Sequence, residues 1–489
     1  MKDLWGGGPA GAADELDRIV HLCRAVGADP DLVQPGGGNA SVKLMLRDRF
    51  GVEEDTLLVK GSGLDLHSID RSGFTALFLS RLSPLRDRDE MGDVEMMEFL
   101  RACMRNPHRD PFPSIETPLH SILPFPVILH THDVATLSLT DLPGEAGRDL
   151  VERLFPGEVL YLPYCRPGFT LARAVRERAG RIPTAAVGMV LARHGLVVWG
   201  EDARQCHDRL VRIVGRVEEF LEEKRPRADK RPAAAAPPGE ADRVERAAAL
   251  LPVIRGFLGG VGRVVLHRDG SDEILERLSA EGARERSGRG MATPDHILLA
   301  GRRPLWIETD FGAPQAKWIE AARVQLEDCR REYLEYHGRN ARGGEESIRD
   351  WAKVVLVPGL GMITAGRDRA GALAAAACYR AVLRTMDNAD PLGGFEFLSE
   401  PEVFHFEHWP LERRKMEERG RDGGGAGLLP GGVVLVVGGG SGIGAASSER
   451  FAEEGAHVLV ADLDEGGAGE VAERITQRFP GRAVAAGVD

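Results

Sequence analysis

The sequence predicts an α/β protein built in three successive parts, and three observations carry that prediction. Short apolar runs rich in β-branched residues alternate with amphipathic stretches at helical spacing. Two linkers divide the chain, the proline- and alanine-rich residues 225–241 (RPRADKRPAAAAPPGEA) and the glycine-rich residues 421–432. After the second linker come a strand, a run of glycines, a helix and a second strand ending in an acid, the order of a dinucleotide-binding unit. The expected parts are residues 1–224, a middle α/β region at 242–420, and residues 433–489.

In the first part, Leu16, Ile19, Val20, Cys23 and Val26 recur at helical spacing, and Gly27 is a C-terminal stop, so residues 12–27 are expected to form a helix. Val42-Lys43-Leu44-Met45-Leu46 and Thr56-Leu57-Leu58-Val59 read as strands. Residues 92–104 read as a helix with Val94, Met97, Phe99 and Met104 as its core positions. Val127-Ile128-Leu129 after Pro124 and Pro126 is a strand that runs into His130-Thr131-His132. An irregular stretch to Gly168 is expected next, punctuated by Leu142-Pro143-Gly144 and Phe155-Pro156-Gly157. Residues 169–178 form a short helix, Val187–Leu191 a buried strand, and residues 202–223 a closing helix with Leu210, Ile213, Val214, Val217 and Leu221 on its buried stripe.

The candidate chemistry lies in this first part. Residues two apart on a strand point to one face, so His130 and His132 can share a metal ion. His194, at the end of the second buried run, is assigned as the third ligand. Three nitrogen ligands with an open position are what a catalytic zinc site needs. Glu116, in Pro113-Ser114-Ile115-Glu116-Thr117-Pro118-Leu119-His120, would be a resting fourth ligand, a general base, or both in turn. His120 reads as a helix-packing residue. Gly36-Gly37-Gly38-Asn39-Ala40-Ser41 and Val59-Lys60-Gly61-Ser62-Gly63 are turns of the kind that present backbone N–H groups to an anion.

The ordered set of two glycine turns, Pro-Ser-x-Glu, His-x-His and His-Gly resembles the class II aldolase/adducin-head family over roughly residues 10–224. The resemblance implies a three-layer αβα domain, zinc held by His130, His132 and His194, Glu116 as acid/base, and substrate phosphate held by Asn39, Ser62, Gly63 and Ser114. Ile115 stands where some members carry a second serine. The family's proton-donating tyrosine is not assigned to either Tyr161 or Tyr164. The resemblance implies a homotetramer acting on a phosphorylated sugar, and the scattered, unpaired pattern of the cysteines points to the cytoplasm.

In the middle region Val264–Leu266, Ile297–Leu299 and Val354–Val357 are strand candidates. Pro358-Gly359-Leu360-Gly361 reads as a tight turn, with a phosphate loop as the alternative. Thr293-Pro294-Asp295-His296 and Phe404-His405-Phe406-Glu407-His408-Trp409 read as polar groups at a domain interface, or as lining a site. The same segments are similar to the intervening region of bifunctional rhamnulose-1-phosphate aldolase/short-chain dehydrogenase fusions. In the last part Val433–Val437, Gly438-Gly439-Gly440-Ser441-Gly442-Ile443-Gly444 and His457–Asp462 resemble a short-chain dehydrogenase start. Gly438, Gly442, Ile443 and Gly444 would face the pyrophosphate of NAD, and Asp462 its adenosine ribose. No tyrosine follows Tyr379, so the dehydrogenase part is expected to be truncated, without its own chemistry, and a poorly ordered or loosely docked tail of two strands with the start of a third.

Composition narrows the partners. A net charge of −12 gives no reason to expect nucleic acid or acidic membranes as partners. Six scattered cysteines without Cys-x-x-Cys read as reduced thiols. The expected activity is zinc-dependent retro-aldol cleavage of a ketose 1-phosphate of the rhamnulose-1-phosphate type. A sugar-phosphate 4-epimerase, a dehydratase, a non-enzymatic adducin-like scaffold and a dehydrogenase are the rivals.

Overall fold

The computed structural model describes residues 3–8, 14–47, 51–225, 238–259, 263–348, 351–413 and 427–489. It has the mixed α/β architecture expected, and the chain divides into two compact units. The first joins residues 1–229 to two segments from farther along, Gly290–Asp295 and Arg380–Leu398. The second holds Lys230–Arg289, His296–Tyr379 and Ser399–Asp489.

The first unit is a seven-stranded sheet in the order β3-β2-β1-β4-β7-β6-β5. Its strands are β1 (Asn39–Arg47), β2 (Glu53–Lys60), β3 (Phe74–Phe78), β4 (Val127–Thr131), β5 (Val159–Leu162), β6 (Gly188–Leu191) and β7 (Gly195–Gly200). All neighbours are antiparallel except β5 and β6. Helices cover both faces because the central strands are apolar on both. Val127 and Leu129 of β4 join Leu196 and Val198 of β7 under the helices Glu15–Gly27 and Ala203–Lys224. Ile128, Val197 and Trp199 face the other way, against Leu119, Leu171 and Val175 of the helices Thr117–Ile122 and Phe169–Ala179.

Several expectations are corrected. The stretch after His132 is not irregular: it holds the helices Val134–Thr140 and Ala146–Leu154 and strand β5. Asp133 starts the first of these helices, its carboxylate accepting from Thr136 N at 2.8 Å, and this cap overrides the strand-like Val-Ala-Thr-Leu-Ser-Leu-Thr sequence. In the helix Asp93–Cys103 the buried stripe is Met96, Leu100 and Cys103, while Val94 faces solvent.

In the second unit, β8 (Val265–Asp269), β9 (Leu305–Trp306), β10 (Val354–Val357) and β11 (Gly361–Gly366) form a sheet in the order β8-β11-β10-β9. Residues Pro358–Leu360 close the β10–β11 hairpin, and a strand follows the turn where a phosphate loop would open a helix. Ile297–Leu299 is helical, not a strand, within Pro294–Ala300, because Pro294 is pre-organised for a first helical position.

The C-terminal part is ordered, which corrects the expectation of a poorly ordered tail, and it holds three strands where two with the start of a third were expected. Strands β12 (Val433–Val437), β13 (His457–Asp462) and β14 (Ala483–Gly487) form a parallel sheet with the helices Gly442–Glu453 and Glu465–Arg478. Val458, Val460, Ala468, Val471 and Ile475 make its core. Val433, Leu435 and Val437 lie exposed on alternate positions of β12, leaving one apolar sheet face uncovered.

Candidate metal and active site

Three imidazoles meet at one end of the central strands of the first unit. His130 is on β4, paired with Asn39 of β1 on one side and Val197 of β7 on the other. His132 follows just past the strand end. His194 lies in the three-residue turn between β6 and β7, where Arg193 has φ 57°, the one non-glycine positive φ among the described residues. The ring centroids stand 4.8, 4.9 and 5.1 Å apart, and the three side chains form a group with metal-ligand spacing. All three are buried.

Glycine makes the close approach to this corner. A Cβ on Gly195 would stand 2.1 Å from Thr131 O and 2.9 Å from His130 Cε1, so no other residue fits where β7 meets His130 and His132.

Glu116 is set by its own turn. Ser114 O accepts from Thr117 N (3.0 Å) and from Thr117 Oγ1 (2.6 Å), and Ser114 Oγ accepts from Glu116 N (3.2 Å). Pro118 then stiffens the first turn of the helix that follows. The carboxylate is buried, with Oε1 3.3 Å from His130 Nε2 and 3.5 Å from His194 Nε2. Asn39 Nδ2 donates to Glu116 Oε2 at 3.1 Å and to Ser114 Oγ at 2.9 Å.

The donor set fits one divalent ion. Donors about 2.1 Å from a zinc ion at tetrahedral angles stand roughly 3.4 Å from one another. Here His130 Nε2 and His132 Nε2 are 3.0 Å apart, and the two distances to Glu116 Oε1 bracket the tetrahedral value. Leu196 O lies 3.0 Å from His130 Nδ1, which fixes the proton there and turns the Nε2 lone pair inward. Among the described residues Glu116 Oε1 is a buried carboxylate oxygen with no hydrogen-bond donor, an arrangement that a bound cation would relieve.

Burial pushes the Glu116 carboxyl up, but the imidazoles of His130, His194 and His120 and the Asn39 amide outweigh it and hold it at about 2. Burial holds His194 at about 4, in the uncharged form a metal needs, so its pull on Glu116 acts only in acid while the Asn39 amide acts throughout. His120 is kept neutral by burial, at about 3, and its Nδ1 pairs with Ser41 Oγ at 2.7 Å, the packing role read from the sequence.

The proposed phosphate residues are only partly gathered. Asn39 and Ser114 touch each other beside Glu116. The turn carrying Ser62 and Gly63 is held close by the Gly61–Pro113 bridge. Its Ser62 N–H is spent on Phe112 O at 2.6 Å. In the first glycine turn Gly36 N and Gly37 N donate to Asp65 Oδ1 and Gln34 O, so these amides do not face an anion. Tyr161 lies against the hydrophobic core with Arg148 over its ring. Far along the chain, Gly438, Gly442, Ile443, Gly444 and Asp462 gather at the carboxyl ends of β12 and β13. A Cβ on Gly444 would lie 1.9 Å from Gly438 O, and Asp462 Oδ2 accepts from Gly440 N at 2.8 Å.

One site residue was missed. Asp295 Oδ2 lies 3.3 Å from His132 Nδ1. The sequence marked the Thr-Pro-Asp-His segment as polar groups at a domain interface or lining a site, and its distance along the chain hid the pairing with His132.

Sheet order and site together define an α/β domain of the class II aldolase type. Residues 17–219 match the family described as Class II Aldolase and Adducin N-terminal domain. Residues 245–416 match Aldolase class II, second domain, and residues 432–489 match short chain dehydrogenase. The chain is 33% identical over 502 residues to "Uncharacterized oxidoreductase YuxG" of Bacillus subtilis (strain 168), an alignment covering all of this chain and 70% of that protein. The chain belongs to the family of that relative, and along this chain the two class II aldolase matches precede the short-chain dehydrogenase match. It is also 27% identical over 220 residues to a methylthioribulose-1-phosphate dehydratase of Acidiphilium cryptum (strain JF-5), covering 42% of this chain and 90% of that one. Among solved structures, the N-terminal class II aldolase domain of a conserved protein from Thermoplasma acidophilum shares 36% identity at a TM-score of 0.41, covering 45% of this chain and 99% of that one. Among the described residues no helix is long and apolar enough to cross a membrane.

Proposed function

We propose that the first unit is a zinc-dependent lyase that cleaves a ketose 1-phosphate, with rhamnulose 1-phosphate giving dihydroxyacetone phosphate and lactaldehyde as the particular reaction. The observation that carries this reading is the buried Glu116 oxygen facing the Nε2 atoms of His130 and His194, with His132 completing the donor set. When bound by these four residues, the ion supplies Lewis-acid stabilisation of negative charge on the substrate's carbonyl and neighbouring hydroxyl oxygens.

The protein's own part is proton handling and positioning. Glu116 carries the proton to and from C3 of the three-carbon half as the C3–C4 bond breaks or forms, while a second base, assigned to no residue, takes the proton of the C4 hydroxyl as it becomes the aldehyde oxygen. Asn39 grips Oε2, which aims Oε1 inward and keeps the carboxylate ionised between transfers. Burial of Glu116 and the three histidines keeps bulk water from competing for that proton. Asn39, Ser114, Ser62 and Gly63 are the residues we assign to the substrate phosphate. The glycine turn after β12 and Asp462 are assigned to NAD, on the short-chain dehydrogenase match, for a chain that carries the complete dehydrogenase domain. The oligomer we propose is a homotetramer in the cytoplasm.

The test is solvent exchange of the C3 proton of dihydroxyacetone phosphate, followed by NMR in deuterium oxide. Wild type should exchange it, and Glu116→Gln should lose exchange by about 100-fold or more. Exchange at the wild-type rate in that variant would refute the role of Glu116. A dehydratase is the second reading, favoured by the 27% identity to the methylthioribulose-1-phosphate enzyme. It predicts release of water from the sugar phosphate with no aldehyde fragment.

A further inference from the structure

We propose that Asp295 is a positioning residue for the metal site, acting through His132, and that a segment of the second aldolase-type domain thereby completes the site built on the first. The inference rests on the metal reading given above. His132 has two ring nitrogens with two different neighbours. Its Nε2 stands 3.0 Å from His130 Nε2, on the side where the ligands converge. Its Nδ1 faces outward, 3.3 Å from Asp295 Oδ2. A ligating imidazole that gives its other N–H to a carboxylate or carbonyl is held in one tautomer and one orientation, and binds metal more strongly. Leu196 O does this for His130 at 3.0 Å. Asp295 does it for His132, with a charge the carbonyl lacks.

The segment that carries Asp295 belongs to the same compact unit as the histidines. Gly290–Asp295 and Arg380–Leu398 fold with residues 1–229, although both lie inside the stretch that matches the second domain family. The second of these segments also grips the His194 turn. Arg193 Nη1 donates to Phe397 O at 2.9 Å and Nη2 pairs with Glu396 Oε1 at 3.0 Å, while Glu396 N donates to Asp141 O at 2.7 Å. Arg193 sits in the left-handed conformation next to ligand His194, so these bonds help to hold a strained turn in place. Two of the three ligands are therefore braced by residues from the second domain's sequence. Gly37 keeps the approach to His132 Nδ1 open, since a Cβ there would come within 2.9 Å of that nitrogen.

The experiment uses the full chain as wild type, Asp295→Asn and Asp295→Ala. Zinc affinity is measured by competition with a chromophoric chelator, and the cobalt-substituted proteins are compared by visible absorption. Asp295→Ala should bind zinc roughly 10–100-fold more weakly and shift the cobalt d–d bands, with the metal-free melting temperature unchanged. Asp295→Asn should fall between, because the amide keeps an acceptor oxygen and loses the charge. Both variants with wild-type affinity and cobalt spectrum would overturn the proposal while leaving the metal site standing. Affinity lost only in step with the melting temperature, in both variants, would also overturn it, because the role would then be structural. A wild type that binds no zinc would overturn the metal reading itself and this inference with it.

Discussion

Replacing Gly195 by alanine tests the geometry of the site through one methyl group. The added Cβ would lie 2.1 Å from Thr131 O, 2.9 Å from His130 Cε1 and 3.1 Å from His132 Cδ2. Cβ contacts under 3.0 Å essentially do not occur, so β7 and β4 must part by about 1 Å at this corner. The clash is with backbone, which cannot rotate away. Metal–ligand distances tolerate only about 0.2 Å, so a shift of this size takes His130 and His132 out of register with His194. Overpacking of this kind costs about 1–3 kcal/mol of stability. Zinc affinity should fall by at least the roughly 100-fold that marks the upper end for losing an outer partner, or about 2.7 kcal/mol. Chelator competition reads the second quantity and thermal melting of the metal-free protein the first. Gly180→Ala is the control: Gly180 has φ −74° and open space around its Cβ direction, so neither quantity should move. A folded Gly195→Ala variant with wild-type zinc affinity would refute the packing of β7 on the two ligands.

Two further outcomes follow from buried polar groups. Asn39→Ala leaves Glu116 Oε2 and Ser114 Oγ without their amide donor. It should destabilise the fold by about 1–3 kcal/mol in urea titrations and lower kcat more than it raises KM, whereas a variant of unchanged stability would remove Asn39 from the account. In the second unit Glu407 is buried and accepts from Tyr336 OH at 3.0 Å, and burial pushes its carboxyl up from 4.5 to about 7. Its contribution to stability is complete below pH 4.5 and is lost as the pH rises through about 7, because the unfolded chain ionises first. A gap of that size corresponds to an upper limit of about 3 kcal/mol, and Glu407→Gln should remove the decline between pH 4.5 and about pH 7. A wild type and variant with parallel pH profiles would contradict the buried, protonated state.

The residues we assign to the chemistry stood out in the sequence because their signals are local. Val127–Leu129 is apolar and β-branched before His130, so strand and ligand spacing came together. Pro113-Ser114-x-Glu116-Thr117-Pro118 carries its own turn chemistry. What stayed hidden depended on partners far along the chain or on signals that contradict one another. Strand β7 follows β6 through a turn with no glycine or asparagine, its positive φ falling on Arg193, and so the hairpin gave no turn signal, although Leu196–Trp199 is an apolar run. Val134–Thr140 looks like a strand by propensity and is a helix because Asp133 caps it. The C-terminal segment was expected to be poorly ordered or loosely docked because it holds only the start of its sheet. One face is open, at Val433, Leu435 and Val437, but the Val458–Ile475 cluster seals the other and suffices to order it. Asp295 could not be placed, since nothing in its own neighbourhood points to His132.

Metal content measured together with cleavage of rhamnulose 1-phosphate, for wild type and His132→Ala, reads the metal site and the reaction in one experiment. Near-stoichiometric zinc and release of dihydroxyacetone phosphate are expected in wild type, with both lost in the variant. Wild type that holds zinc and releases no dihydroxyacetone phosphate would contradict the aldolase reading and point to the dehydratase. Wild type without metal or cleavage would contradict the active site itself.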